Sequence, residues 1–220
     1  MNLEEVKQIA QDRRGVDGIE LRVYGAEIVR VEQRDGGMPT LVGHAAVFNQ
    51  ETDIAGYFLE RVAPGAFQRA IEDDDVRALF NHDVNFVLGR NRAKPTPTLE
   101  LAEDSTGLLT TTFPPDTTYA RDLVVSIGRG DVSQMSFAFR VRKETWEEKG
   151  KHEWLRTIQD VELFDISPVT FPAYPTTDVG LRSLKQFKDA AEAQARGVTS
   201  ESQRRAEHQA GLLRLVLNGL

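Results

Sequence analysis

The stretch DVSQMSFAFRVRKETWEEKGKHEWLRTIQDVELFDISPVTF, residues 131–171, decides the fold. It reads as two strands joined across the charged turn EEKGK at 147–151. In the first strand Met135, Phe137, Phe139 and Val141 fall on one side by period-two alternation, and Gln134, Ser136, Ala138 and Arg140 fall on the other. The apolar side is expected to face the core, which leaves the Ser136 hydroxyl on a more open wall beside the small Ala138. In the second strand Asp165 alternates onto the face of Val161 and Leu163, and a lone carboxylate among apolar neighbours must be paired. Its partner could be a histidine, an arginine or backbone amides; Glu162, on the other face, is the weaker acidic candidate.

Working outward, the same strand-like patterning recurs upstream. Residues 2–14 read as a short charged helix, followed by strand-like GIELRVYGAEIVRVEQ (18–33), which Asp35–Gly37 breaks. TLVGHAAVF (40–48) is a second strand, whose glycine and alanines mark a place where another group comes close. RVAPGAFQRAIEDDD (61–75) predicts a short helix with Phe67, Ala70 and Ile71 on one face, and its acidic end, Glu72 to Asp75, is expected to be a solvated turn. VRALFNHD (76–83) is a compact apolar strand with a polar end, and FVLGRNR (86–92) follows it. PTLELAEDSTGLLTTTF (97–113) predicts a hairpin turning at Asp104–Gly107. Pro114 to Asp116 form a stop and an N-cap, and TTYARDLVVSIGRG (117–130) reads as an amphipathic helix.

These elements predict a mainly β protein with helices (α+β), its strands forming a mostly antiparallel sheet or barrel. The organisation expected is an N-terminal charged helix in residues 1–15, a core over 16–181 and a helical C-terminal tail over 182–220, with Gly197–Ser200 splitting the tail into two helices.

Composition narrows the function. With 220 residues, 40% hydrophobic and 28% charged, the chain can bury a core. A net charge of -7 argues against nucleic-acid binding, which gathers Lys and Arg to displace counterions. Cysteine is absent, so disulfides and thiolate metal sites are excluded and a reducing compartment fits. The apolar runs are only a few residues long, so neither a signal peptide nor a membrane span is expected.

A serine becomes a nucleophile when a neighbouring base takes its proton, and histidine is the usual base. The chain has four histidines. His208 lies in the polar tail and His152 in the hydrophilic turn, while His44 shares a strand face with Val42, Ala46 and Phe48, where a structural histidine is expected. His82 closes an apolar strand between Asn81 and Asp83, combining a rigid support with a polar mouth, and ranks first.

The strings LVGHAAVFN, APGAF, VRALFNHD with VLGR behind it, DSTGLL, GDVSQMSFAF and FDISPVTFPAYPTTDV, in that order from Leu41 to Val179, resemble the tailed-bacteriophage prohead serine proteases. That family is similar in fold to herpesvirus assemblin, which implies an antiparallel β-barrel flanked by short helices. The resemblance implies a serine endopeptidase in which Ser136 of the MSF element is the nucleophile and His82 of NHD the general base. The acidic third member, often a glutamate before the SPV element, falls on Asp165; the herpesvirus enzymes use a second histidine there, for which His152 is the nearby alternative. It further implies action on capsid protein and scaffold protein inside the procapsid in the host cytoplasm, self-cleavage near Gly197–Ser200 or in the amino-terminal segment, and no cofactor or metal. A homodimer is one arrangement it allows, through the helix from Asp116 to Ile127 or the tail. Two other readings stay open: a non-catalytic capsid-assembly module on the same fold, and a metal-dependent hydrolase built on His44, His82 and Asp83.

Overall fold

The computed structural model describes residues 1–12, 18–23, 29–150 and 153–171, all within one compact unit spanning residues 1–184. The tail expected over 182–220, the Gly197–Ser200 split, His152 and His208 lie outside the described residues. The elements run α1 (Leu3–Asp12), β1 (Ile19–Arg22), β2 (Arg30–Glu32), β3 (Thr40–Val47), β4 (Thr52–Ile54), β5 (Phe58–Val62), α2 (Gln68–Asp73), β6 (Arg77–Phe80), β7 (Asp83–Arg90), β8 (Leu99–Glu103), β9 (Gly107–Thr112), α3 (Thr118–Gly128), β10 (Gln134–Gly150) and β11 (Glu153–Val169). The protein is thus mostly β with few helices.

Among the described residues the strands form two sheets, one of seven strands and one of four in the order β2-β3-β9-β8, and no closed barrel. The antiparallel expectation holds for β10 and β11 but not for the other edge of β11. That strand is 17 residues long, and two short strands share its second edge one after the other. β5 runs parallel to Leu155–Ile158, α2 carries the chain along, and β6 runs parallel to Asp165–Ile166. β6 then turns back as β7, and the sheet ends in separate edges instead of closing on itself.

Aromatic rings from β10 fill the space between the sheets and α2. Phe67 meets Phe137 edge-on at 5.5 Å between centroids, and Phe137 stacks on Phe139 at 4.7 Å. Helix α3 buries Ala120, Leu123 and Ile127, the spacing of one helical face. It begins one residue later than the expected Asp116 cap: Thr117 occupies the N-cap without a side-chain bond, and Asp116 instead pairs with Arg121. The close approach expected in β3 falls at Ala46, whose carbonyl would lie 1.9 Å from a Cβ placed on Gly107 of β9.

Helix α1 starts with a reciprocal cap, Glu5 N–H to Asn2 Oδ1 at 2.9 Å and Asn2 N–H to Glu5 Oε2 at 2.8 Å. Its otherwise charged sequence buries Val6 and Ala10, four residues apart, with Ile54 and Phe58 and against Trp146 and Trp154. Beside this lies a feature the strand patterns did not foretell, a buried charge cluster. Arg156 donates to Glu60 Oε2 at 2.7 Å, Glu20 Oε1 at 2.9 Å and Glu144 Oε2 at 2.7 Å, and Arg22 donates to Glu60 Oε1 at 2.6 Å. Burial opposes the charge on Arg156, but the carboxylates of Glu60 and Glu20 outweigh it and hold the guanidinium well above its ordinary value.

Removing one member of such a cluster strands the others in a dry interior. We expect Arg156→Met to lower stability by about 3–5 kcal/mol in urea unfolding. A loss below about 1 kcal/mol would mean that the cluster does not hold β1, β5 and β11 together.

Candidate active site

Phe80 pairs directly with Asp83, so Asn81 and His82 form the two-residue loop of the β6–β7 hairpin. Both adopt left-handed backbone, with φ of 54° and 57°. Two left-handed central residues match the twist of hairpin strands, and Asn followed by Gly is the favoured pair. Asn81 suits its place. His82 stands where glycine is preferred, at a cost of about 1–2 kcal/mol for a residue with a Cβ.

The end of β11 holds this turn in place. Asn81 N–H donates to Pro168 O at 3.0 Å, its side-chain amide donates to Thr170 Oγ1 at 3.2 Å, and Thr170 N–H returns a bond to Asn81 Oδ1 at 2.9 Å. His82 N–H donates to Ser167 Oγ at 3.2 Å. The imidazole therefore hangs from a fixed backbone.

The wall beneath it is built by register. Ser136 lies opposite Ser167, and Ala138 opposite Asp165; the next pair is Phe139 with Leu163, so Phe164 is an extra residue in β11. Such a bulge flips the strand's faces. Leu163 stays on the core side with Phe139, while Asp165 crosses to the side of Ser136. This corrects the expectation that Asp165 shares a face with Val161 and Leu163. The acidic run that closes α2 is also not a simple solvated turn, because Asp74 accepts the Leu163 N–H at 2.8 Å beside the bulge and pairs with Arg69 at 2.8 Å. Asp75 pairs with Arg90 at 2.7 Å, and that bond holds its carboxyl below the ordinary value against the opposing effect of burial.

On this face the three singled-out side chains meet. His82 Nε2 is 2.7 Å from Ser136 Oγ, and His82 Nδ1 is 2.7 Å from Asp165 Oδ1. Ser167 donates its hydroxyl to the same Oδ1 at 2.7 Å. An ionised carboxylate only accepts, so in the neutral ring the proton belongs on Nδ1 and the Nε2 lone pair faces the serine hydroxyl. Ser136, Asp165 and Ser167 have no exposed surface, and His82 is 2% exposed. The open wall expected around Ser136 is thus corrected: the β6–β7 turn packs over that face of β10, and Phe137 and Phe139 fill the other.

The remaining candidates are spoken for. His44 Nε2 lies 2.9 Å from Asp104 Oδ2, a paired structural histidine as expected. The Gly107 N–H, followed by His44, holds the Asp104 carboxyl below its ordinary value. Asp83 accepts from Asn85, and Glu162 from Arg140 at 2.7 Å. The metal set of His44, His82 and Asp83 is therefore not assembled, each member being engaged elsewhere. Two amides of the GRN stretch at 89–91 are not free to donate to a developing oxyanion either: Arg90 N–H bonds Thr98 Oγ1 and Asn91 N–H bonds Val76 O. No helix among the described residues is long and apolar enough to cross a membrane.

A family model described as caudovirus prohead serine protease matches residues 26–190. The chain belongs to that family. Membership makes it one of a family of phage serine proteases tied to capsid maturation. No curated protein and no solved structure matches the chain. Within this prohead protease chain, sequence reasoning overlooked Ser167, although it lies two residues past Asp165 in the SPV element and alternation alone carries both to one face.

The left-handed turn predicts an order of stabilities. Asn81→Ala should be less stable than Asn81→Gly by about 1 kcal/mol in thermal or urea unfolding, since both lose the Thr170 bonds but only alanine bears the left-handed strain. Equal losses would contradict the turn geometry.

Proposed function

We propose that this chain is a serine endopeptidase whose catalytic group is Ser136, with His82 as general base and Asp165 as the residue that orients the imidazole. The observation carrying this reading is the unbroken run of 2.7 Å contacts from Ser136 Oγ through the ring to Asp165 Oδ1. A hydroxyl that merely filled a sheet would have no need of a buried histidine held by a buried carboxylate. In the reaction, Ser136 Oγ attacks the peptide carbonyl carbon as its proton passes to His82 Nε2. The imidazolium then gives that proton to the leaving amine, and water repeats the sequence to release the acyl group. Asp165 keeps the Nδ1 proton in place and stabilises the transient positive ring.

The family's setting supports, as the substrate class, capsid protein and scaffold protein, cleaved inside the procapsid in the host cell so that the shell can mature. Self-processing at Gly197–Ser200 or in the amino-terminal segment belongs to the same reading, as does a homodimer. The complete burial of Ser136 favours a second reading, a capsid-assembly module without catalysis. On the protease reading, that burial requires the atoms now covering the serine to shift before a peptide enters.

Co-expression with the capsid protein separates the two. Wild type should generate new capsid-protein termini by mass spectrometry, and Ser136→Ala should leave the precursor uncut; identical precursor masses in both would remove the protease reading. Asp165→Asn keeps the shape but favours the wrong ring tautomer, and cleavage should fall by about 10⁴-fold in rate. Intact-mass measurement of the purified chain, wild type against Ser136→Ala, tests self-processing: only the wild type should shorten with time.

A further inference from the structure

We propose that Ser167 is a positioning residue of this site, fixing at once the backbone of His82 and the plane of the Asp165 carboxylate. The inference rests on the protease reading and adds a fourth residue to it. Ser167 sits directly opposite Ser136 in the β10–β11 register and is fully buried. Its oxygen accepts the His82 N–H at 3.2 Å, and its proton goes to Asp165 Oδ1 at 2.7 Å. One hydroxyl therefore touches both partners of the imidazole–carboxylate contact.

The carboxylate needs this second donor. Asp165 Oδ2 is buried and meets no hydrogen-bond partner among the described residues, and both bonds converge on Oδ1, from His82 Nδ1 and from Ser167. Two donors meeting at one oxygen hold the plane of the carboxylate, because a partial turn about its Cβ–Cγ bond moves that oxygen off both bonds at once. With the hydroxyl removed, the imidazole is the one donor left to it among the described residues, and the left-handed His82 backbone loses the bond that anchors its N–H. The ring is then free to swing away from Ser136 Oγ.

An electrostatic consequence accompanies the geometric one. A carboxylate sharing its charge with a hydroxyl attracts a protonated imidazole less than one without that bond. Removing Ser167 should therefore make protonation of the His82–Asp165 pair easier and move the acidic limb of the rate–pH profile to higher pH. The charged side chains described around this contact turn to other partners. Arg77, whose backbone lies beside Asp165, turns its guanidinium to Asp75 at 3.1 Å, and Asp83 next to His82 turns to Asn85 at 2.9 Å. Arg140 on β10 pairs with Glu162 and lies over Phe164.

The test measures how fast a fluorophosphonate probe reacts with Ser136 across pH, which needs no knowledge of the cleavage sequence. Ser167→Ala should react about 10- to 100-fold more slowly than wild type, with its acidic limb at higher pH. Ser167→Thr, which keeps the hydroxyl, should recover most of the rate and the wild-type limb. Thermal unfolding of each variant accompanies the kinetics; if the alanine variant does not fold, Ser167→Cys, with similar volume and a weaker donor, should show the same upward limb. An unmoved limb in Ser167→Ala or its cysteine substitute, or equal slowing in the alanine and threonine variants, overturns the proposal while leaving Ser136 as nucleophile. A wild-type chain that takes no label at Ser136 overturns both.

Discussion

The one extra residue at Phe164 is the constraint on which the site depends. Strand β10 offers two faces, one lined by Phe137 and Phe139 and one by Ser136 and Ala138, and β11 must match them residue by residue. Without a bulge the alternation that buries Leu163 against the aromatic core would also turn Asp165 inward. The bulge between the pairs Ala138–Asp165 and Phe139–Leu163 lets one strand serve both faces. Asp74 supports it by accepting the Leu163 N–H, and Arg69 supports it by donating to the Val161 carbonyl. The acidic end of α2 thus acts on the site from outside it.

The same strand carries nearly everything else the site needs. Its second edge receives β6, which ends in the Asn81–His82 turn, and Ser167 and Pro168 near its end bind that turn together with Thr170 just beyond it. The histidine's left-handed backbone, worth about 1–2 kcal/mol of strain, persists because these bonds over-determine it. Farther along β11, Arg156 gathers Glu20, Glu60 and Glu144 in a second buried polar network. Both networks meet the requirement that buried charge be paired, and both tie β11 to neighbours distant in sequence. The result is a preorganised hydroxyl–imidazole–carboxylate contact kept away from water, the condition under which such groups interact most strongly.

Much of the fold was legible in the sequence because it follows from local pattern. The hairpin turning at Asp104–Gly107, the amphipathic α3 and the long β10–β11 pair all express periodicity and turn chemistry. What escaped depends on register or on contacts across the chain. Alternation placed Asp165 on the apolar face, because one inserted residue leaves no mark in a period-two count; the residue singled out was nevertheless one the structure sets against His82, for a different geometric reason. Ser136 was expected in the open, since its own strand does not reveal that the β6–β7 turn will lie across it. The strand pattern allows a sheet or a barrel and the family resemblance implies the barrel, yet sheet closure depends on how a 17-residue strand divides its edge between β5 and β6. The Arg156 cluster joins residues 20, 60, 144 and 156, and no local window contains them together.

On the proposed reading, the geometry converging on Ser136 makes that one hydroxyl, among all the serines of the chain, a nucleophile. Peptide mapping by tandem mass spectrometry after exposure to a fluorophosphonate measures this directly. A single covalent adduct is expected, on the peptide containing Ser136, and it should disappear in His82→Ala although Ser136 is still present. An adduct on another serine, or an adduct on Ser136 that forms equally well without His82, would contradict it.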